Sequence, residues 1–174
     1  REAEFEVVKV LLDADTQELS VTKESLIGRL PLHMAIEEKM EPDVVDLLLE
    51  KGNDDDIYTP FGGLLPLHLA CLNGSKSKTV QILLDKDVLN TTKNAAVEGR
   101  NKNSSTSDKK SFLSLTTIGI DGMIPLHLAL RNTSADPKTR NRVTETIRLL
   151  LMKEKKSEQV SGLESSTVYF RNEH

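Results

Sequence analysis

Three of the four histidines of this chain lie in a repeated context, and their type could do chemistry either as metal ligands or as general bases. His33, His68 and His127 each stand in the phrase Pro-Leu-His-x-Ala, so the chain repeats the whole context and not the histidine alone. Helices in adjacent copies of such a unit pack about 8–10 Å apart, whereas histidine ligands bind zinc at about 2 Å. Equivalent histidines therefore do not converge on one metal ion, and we interpret them as parts of the scaffold.

The remaining candidates for chemistry are one cysteine and one acidic run. Cys71 follows Ala70 where a small buried residue is expected, and a buried, unactivated thiol behaves as a small hydrophobe. Asp54, Asp55 and Asp56 resemble a cation-binding run, but the glycine and distal glutamate of a calcium loop do not follow, which indicates a solvated loop. The chain also lacks a glycine-rich phosphate loop, a cysteine pair and a nucleophile elbow. The sequence predicts no catalytic residue, no metal site, no cofactor and no enzymatic activity.

The composition favours stacked helices. Hydrophobic residues make up 37% of the 174 residues and charged residues 29%, while aromatic residues make up 3% with no Trp. The core must therefore consist of Leu, Ile, Val and Ala, which suits helices better than an all-β domain. A net charge of −4 gives no basic field for nucleic acid, and the chain has no run of about 18 apolar residues that would insert in a membrane. The lone cysteine and the lack of a secretory signal predict an intracellular, cytoplasmic protein, with the nucleus as the alternative.

The repeated phrase marks a unit of two helices. Each copy begins with a glycine, at Gly28, Gly63 and Gly122. The glycine allows a tight turn, the proline three residues later fits the first turn of a helix, and the leucine after it starts an apolar stripe. A second helical pattern follows the histidine after 12, 12 and 20 residues, at Val45, Val80 and Ile147. The histidines themselves are 35 and then 59 residues apart, and the shorter interval is typical of helical repeats.

The array departs from regularity in three places. The stretch 7–12 matches a second helix with no first helix before it, so we expect the segment to begin within a repeat and another helix to precede it. The long interval before the third copy contains a polar stretch rich in Ser, Asn and Lys between Asp87 and Thr117, which predicts a disordered surface loop. A second insertion, near Asn132 to Thr139, separates the two helices of the third copy.

The turn glycine, the Pro-Leu-His-x-Ala phrase, the 35-residue interval and a Val-x-x-Leu-Leu second helix together resemble the ankyrin repeat. The resemblance implies a mainly α fold, an ankyrin-repeat solenoid of stacked helix-turn-helix units with short β-turn fingers. It also implies that the histidine of each phrase hydrogen-bonds to the local turn backbone. The single array then comprises a half repeat at 5–15, repeats at about 25–55, 60–87 and 119–155, a disordered insertion at about 88–117 and a C-terminal extension at 156–174.

Two departures from the family pattern concern the turns. Ankyrin repeats usually carry Thr before the Pro, where this chain has Leu30, Leu65 and Ile124. The hydroxyl that normally helps to tie the turn to the helix is therefore missing. The usual Gly after the first helix survives only as Gly74, so we expect looser connectors in the first and third repeats.

The resemblance also indicates where a partner binds. Ankyrin repeats use variable positions around each turn glycine and on the outward side of the first helix. Carried onto this chain, the partner-binding residues are Ile27, Arg29, Glu37, Glu38, Phe61, Leu64, Leu72, Asn73, Asp121, Met123, Arg131 and Asn132. A mixed apolar and charged strip of this kind suits a protein or peptide partner. For Phe61 and Leu64, packing under the neighbouring turn is an equally good interpretation.

These features predict a non-catalytic protein-protein interaction module or scaffold, which binds a protein or peptide on its concave face. We expect a monomer, with no nucleic-acid partner and no membrane insertion. The alternative is a regulatory or targeting ankyrin segment of a larger enzyme or channel whose catalytic part lies outside this chain.

Overall fold

The computed structural model describes residues 2–14, 19–22, 24–98, 113–132 and 136–161. Its α-helices are α1 (Glu2–Ala14), α2 (Leu19–Thr22), α3 (Pro31–Glu37), α4 (Pro42–Lys51), α5 (Pro66–Asn73), α6 (Ser77–Glu98), α7 (Leu113–Thr116), α8 (Pro125–Arg131) and α9 (Pro137–Ser161). Short 3₁₀ turns span Asp56–Tyr58 and Ile120–Gly122. Over the described ranges there is no sheet, and one isolated antiparallel bridge joins Phe61 to Leu64. The predicted mainly α architecture is confirmed.

The helices form two layers. The first helices of the three repeats lie side by side, since α3 contacts α5 and α5 contacts α8. The second helices form the other layer, in the order α1, α4, α6 and α9. Each first helix also packs on the second helix of its own repeat, α3 on α4, α5 on α6 and α8 on α9. Helix α1 stands where a second helix is expected, as the leading half repeat predicts.

Burial of equivalent side chains depends on their place in the stack. In the second repeat, the position that faces the preceding repeat is occupied by Leu69, which is 5% exposed. In the first repeat the same position is occupied by Met34, which is 48% exposed. In the first repeat, the position that faces the following repeat is occupied by Ile36, which is 1% exposed. In the third repeat the same position is occupied by Leu130, which is 51% exposed. Each repeat therefore supplies the cover for the apolar face of its neighbour.

The N-cap residues of the first helices supply no side-chain cap of their own. Leu30, Leu65 and Ile124 precede the helices with extended backbone and make no side-chain cap hydrogen bond. Leu30 and Leu65 are instead buried in the core. The proline at the first helical position fixes φ and has no N–H to satisfy, which favours helix initiation at this point.

The turns before the first helices are the fingers, residues 24–30, 59–65 and 117–124. Each finger turns through a glycine with φ between 71° and 77°, at Gly28, Gly63 and Gly122. In the outer two fingers, the N–H of Ser25 and of Gly119 donates to a carbonyl four residues later at 2.9 Å. The middle finger closes one residue tighter, from Phe61 N–H to Leu64 O at 3.0 Å, because the equivalent position is Pro60 and has no N–H.

The connectors of the first two repeats have the same turn. Gly74 ends α5 with φ of 60°, and its N–H donates to Cys71 O at 3.3 Å. Lys39 has φ of 54°, and its N–H donates to Ile36 O at 3.2 Å. The expectation of a looser connector in the first repeat is wrong, because lysine adopts the left-handed conformation that glycine adopts at lower cost. The corresponding residues of the third repeat, 133–135, lie outside the described residues.

The region predicted as a disordered insertion, 88–117, is helical where it begins. Helix α6 continues to Glu98, and the short helix α7 precedes the third finger. Asn90 is 3% exposed, and its Nδ2 donates to Asp54 O at 2.5 Å. The polar side chain therefore anchors the helix to the preceding repeat. Residues 99–112 lie outside the described residues.

Helix α9 begins inside the predicted second insertion. Pro137 is its first residue, and Asp136 Oδ2 accepts the N–H of Thr139 at 3.0 Å, which is the usual arrangement of an N-cap. The helix runs into the predicted C-terminal extension at 156–174. Residues 162–174 lie outside the described residues.

Candidate functional site

His33 and His68 each join two repeats through both ring nitrogens. His33 Nδ1 accepts the N–H of Leu30 at 3.0 Å, and its Nε2 lies 3.0 Å from Thr59 O in the next finger. His68 repeats the arrangement, with the N–H three residues before it at 3.3 Å and with Thr117 O at 3.0 Å. Because Nδ1 accepts a hydrogen bond, the proton of the neutral ring lies on Nε2, which donates to the carbonyl.

Burial keeps these two rings out of acid–base chemistry. Both are 0% exposed, and burial lowers the pKa of His33 and of His68 despite opposing backbone hydrogen bonds. A neutral ring with both nitrogens bonded has no free lone pair for a metal ion or a proton. His127 differs in being exposed, but its Nδ1 also accepts the N–H of Ile124 at 3.3 Å. The predicted hydrogen bond to the local turn backbone is thus confirmed in all three repeats.

The cysteine and the acidic run also serve the scaffold. Cys71 is 1% exposed, and burial raises the pKa of its thiol to about 12. Asp56 accepts the N–H of Asn53 at 2.9 Å, and burial raises the pKa of this carboxyl, so it is not the solvated residue that the sequence indicated. Asp54 Oδ1 lies 2.8 Å from Lys86 Nζ on α6. Among the described residues, no three His, Cys, Asp or Glu side chains are placed to hold a metal ion.

An apolar groove of about 620 Å³ lies between α1, α3 and α4 at the start of the stack. Its lining residues are all apolar: Val8, Leu11, Leu12, Ala14, Pro31, Met34, Ala35, Met40, Val44 and Leu48. Sites for small molecules combine apolar walls with a few converging polar groups, and this lining lacks them. The groove therefore offers no catalytic constellation.

A different surface forms where the fingers meet the first helices. In the first repeat, Arg29 Nη2 forms an ion pair with Glu37 of α3. The equivalent positions of the third repeat hold Met123 and Arg131, with Arg131 Nη1 3.9 Å from Met123 Sδ. The corresponding pair of the second repeat is apolar. We name this surface the finger face and define it by Arg29, Glu37, Leu64, Leu72, Met123 and Arg131.

One further side chain of each later finger covers the finger before it. The guanidinium of Arg29 lies 5.5 Å from the ring centroid of Phe61, and the rings of Phe61 and His33 are 5.7 Å apart. Ile120 holds the equivalent position in the third finger, and a Cβ at Gly63 would lie 3.2 Å from Ile120 Cγ1. Phe61 thus packs against the neighbouring turn, which is one of the two interpretations that the sequence left open.

Leu64 is half-buried and takes part in the core as well as in the finger face. It packs against the buried cluster, and a Cβ at Gly119 would lie 3.1 Å from Leu64 Cδ2. Met123 of the next repeat is also half-buried against the core. Leu72, by contrast, is 37% exposed. Leu64 and Met123 therefore have one side packed on the scaffold and another side open to solvent, and Leu72 is exposed between them in the sequence.

The other residues predicted to bind a partner lie around the finger face or serve the fold. Its exposed neighbours in the predicted set are Ile27, Glu38 and Asp121. Asn73 is half-buried. Asn132 Nδ2 donates to Cys71 O at 3.4 Å, so this side chain closes the end of α5 and links the second and third repeats.

Sequence reasoning missed two exposed isoleucines of the third finger. Ile118 is 68% exposed and Ile120 is 51% exposed. Shifting the third copy by the 59-residue interval places Ile120 at the position of Phe61, so the register held the signal. The exposed fraction of either side chain could not be read from the register.

Comparison with known proteins agrees with the repeat geometry. Residues 32–161 match the family described as ankyrin repeats in three copies, which is most of the chain. The chain therefore belongs to the ankyrin repeat family, whose members generally mediate protein–protein interaction and are typically non-catalytic. No curated protein matches the chain. None of the described helices is both long enough and apolar enough to cross a membrane.

Proposed function

We propose that this chain is a non-catalytic interaction module that binds a protein or peptide on the finger face. The observation that carries the proposal is the contrast between repeated and varied positions. The Leu and Ala of the repeated phrase are buried or half-buried in all three repeats. The paired positions of the finger face instead carry Arg with Glu, Leu with Leu, and Met with Arg. Varied side chains on a constant scaffold are what selective binding requires.

The chemistry of the face also suits a protein partner. Protein interfaces combine an apolar centre with a polar rim, and a few well-placed side chains, often aromatic or Arg, supply most of the binding energy. Here the apolar pair lies in the middle repeat, and charged side chains lie in the repeats on either side. The face thus has the arrangement of an interface centre and its rim.

Affinity capture with two matched leucine variants tests the proposal. Leu72→Asp places a charge in the centre of the finger face, where the leucine is 37% exposed. Leu151→Asp makes the same change on α9, in the other helix layer, where the leucine is 43% exposed. We expect proteins captured by the unmodified chain and by the Leu151 variant to be lost with the Leu72 variant.

The capture experiment is read by mass spectrometry, with far-ultraviolet circular dichroism to establish that both variants are folded. An identical set of captured proteins with Leu72→Asp would contradict binding on the finger face. Substituting Arg29 and Phe61 is a weaker test, because both side chains hold neighbouring repeats together. Loss of capture in such a variant would not separate binding from stability.

A further inference from the structure

The charge of the finger face is uneven along the array. At the first repeat, Arg29 is neutralised by its ion pair with Glu37, and its guanidinium also lies over the Phe61 ring. At the third repeat, Arg131 is exposed and its guanidinium contacts the sulfur of Met123. Within the described residues no carboxylate lies within 4.0 Å of Arg131. Over the described part of the chain, one end of the face is therefore internally compensated, and the other end presents a cation that has no carboxylate within ion-pair distance.

Between these two ends lies a group of apolar side chains from the second and third repeats. Its members, named here the central strip, are Leu64, Leu72, Ile120 and Met123. Leu72 and Ile120 are 37% and 51% exposed, and Ile120 lies against the middle finger at Gly63. Met123 ends the strip beside Arg131. An apolar side chain, Met123, and a cation, Arg131, are thus adjacent on the surface.

We propose that the finger face binds an acidic peptide segment of a partner protein. An apolar side chain of the segment packs on the central strip, and a carboxylate beside it pairs with the Arg131 guanidinium. Arginine suits this role because its planar fork can donate two hydrogen bonds to one carboxylate. The proposal rests on the proposed function and adds the chemistry of the partner.

The distribution of charge argues against the other classes of partner. A basic segment would need a carboxylate within the finger face, where Glu37 is already paired with Arg29, and the exposed Glu38 and Asp121 lie beside the face. Nucleic acid needs several cations that follow its phosphates, whereas the chain has a net charge of −4. Asp121 is exposed at the tip of the third finger, and we expect it to oppose acidic groups that approach from that side.

Peptide selection with the 174-residue chain as bait tests this proposal. A random dodecapeptide library displayed on phage is selected against the unmodified chain and against Arg131→Glu. We expect the unmodified chain to enrich peptides with Asp or Glu next to a large apolar residue. The charge-reversed variant should enrich Lys or Arg in place of the acid, and should bind the original peptides at least about tenfold more weakly.

Three further variants make the outcome decisive. Arg131→Lys retains the charge and should retain the preference for acidic peptides. Arg140→Glu makes the same charge reversal at an exposed position of α9 and should leave the selected sequences unchanged. Leu72→Asp should abolish binding of every enriched peptide. Circular dichroism and thermal unfolding establish that each variant is folded.

Each possible result has a distinct meaning. Enrichment of the same acidic peptides by Arg131→Glu, with equal affinity, would overturn the role of Arg131. Enriched peptides that depend on Leu72 but contain no acidic residue would overturn the acidic partner and leave the proposed function standing. Enriched peptides that bind the Leu72→Asp variant equally well would overturn both, because binding would then occur elsewhere on the chain.

Discussion

The second and third repeats contain the same phrase, but its histidine has a different environment in each. His68 is 0% exposed and bonds both to its own turn and to Thr117 O of the next finger. His127 is exposed and bonds to its own turn, and no further finger follows it in the described part of the chain. The phrase by itself therefore fixes the local hydrogen bond, and the neighbouring repeat decides whether the ring becomes a link between repeats.

The apolar side chains show the same difference. Leu84 of the second repeat is 1% exposed, whereas the equivalent Leu151 is 43% exposed. Likewise Cys71 is 1% exposed, whereas the equivalent Leu130 is 51% exposed. Local pattern thus builds a repeat, and stacking buries its apolar faces and adds to its stability, as expected for an array in which each unit contacts only its neighbours.

The largest expected difference between the two repeats is in the free energy of unfolding that is lost when the histidine is replaced by alanine. His68→Ala removes a buried ring and leaves the Leu65 N–H and the Thr117 carbonyl without their partner. We expect the free energy of unfolding to fall by about 3 kcal/mol. His127→Ala removes one exposed hydrogen bond and should lower it by less than about 1 kcal/mol. Urea unfolding followed by circular dichroism measures both, and equal losses would contradict the linking role of His68.

A smaller change in the free energy of unfolding is expected when the pH is lowered. Burial lowers the pKa of His33 and of His68 in the folded chain, whereas the unfolded chain has the ordinary value of 6.5. As the pH falls through 6.5, the unfolded chain binds protons that the folded chain does not bind. The contribution of the two buried rings to stability is therefore fully present above this pH and is lost progressively below it. By pH 6 the loss is at most about 0.8 kcal/mol for each histidine.

Urea unfolding at a series of pH values between about 7.5 and about 6 measures this dependence, above the range in which most carboxyls titrate. The His127→Ala variant should keep the full dependence, because both buried rings, His33 and His68, remain in place. A variant without His127 that lost most of the dependence would show that burial of the other two rings is not its cause.

The smallest expected effect concerns the connectors, where the first and second repeats share one turn with different residues. Lys39 holds φ of 54° at the position where the second repeat has Gly74 with φ of 60°. Since a side chain is disfavoured in this conformation, Lys39→Gly should raise the free energy of unfolding by about 0.5–1 kcal/mol. Lys39→Ala, which keeps a Cβ, is the matched control and should bring no such gain. Thermal unfolding distinguishes the two variants.

Much of the fold could be predicted because its signals are short in sequence. The turn glycine, the helix-starting proline and the histidine of one repeat all lie within six residues, for example from Gly28 to His33. The extent of α6 could not be predicted in this way. Its polar composition predicts a loop, but Asn90 Nδ2 donates a hydrogen bond to Asp54 O across the repeat boundary. A contact between residues so far apart leaves no local pattern.

The candidate site was predicted as a set of positions but not as an arrangement. The resemblance to ankyrin repeats implied that Arg29, Glu37, Met123 and Arg131 belong to one binding surface. It could not show that Arg29 and Glu37 neutralise each other while Arg131 contacts a sulfur, because these pairings depend on how each finger lies on its helix. The difference in available charge follows from those pairings.

The sequence alone determined the repeating unit and its number of copies, because turn and helix initiation depend on residues a few positions apart. It also determined that the histidines belong to the scaffold, since equivalent residues of stacked units cannot converge. Only the tertiary structure decided which equivalent side chains are buried, linked or exposed. Burial depends on the neighbouring element that covers a residue. His68 and His127 therefore have different roles although both stand in the same phrase, Pro-Leu-His-Leu-Ala.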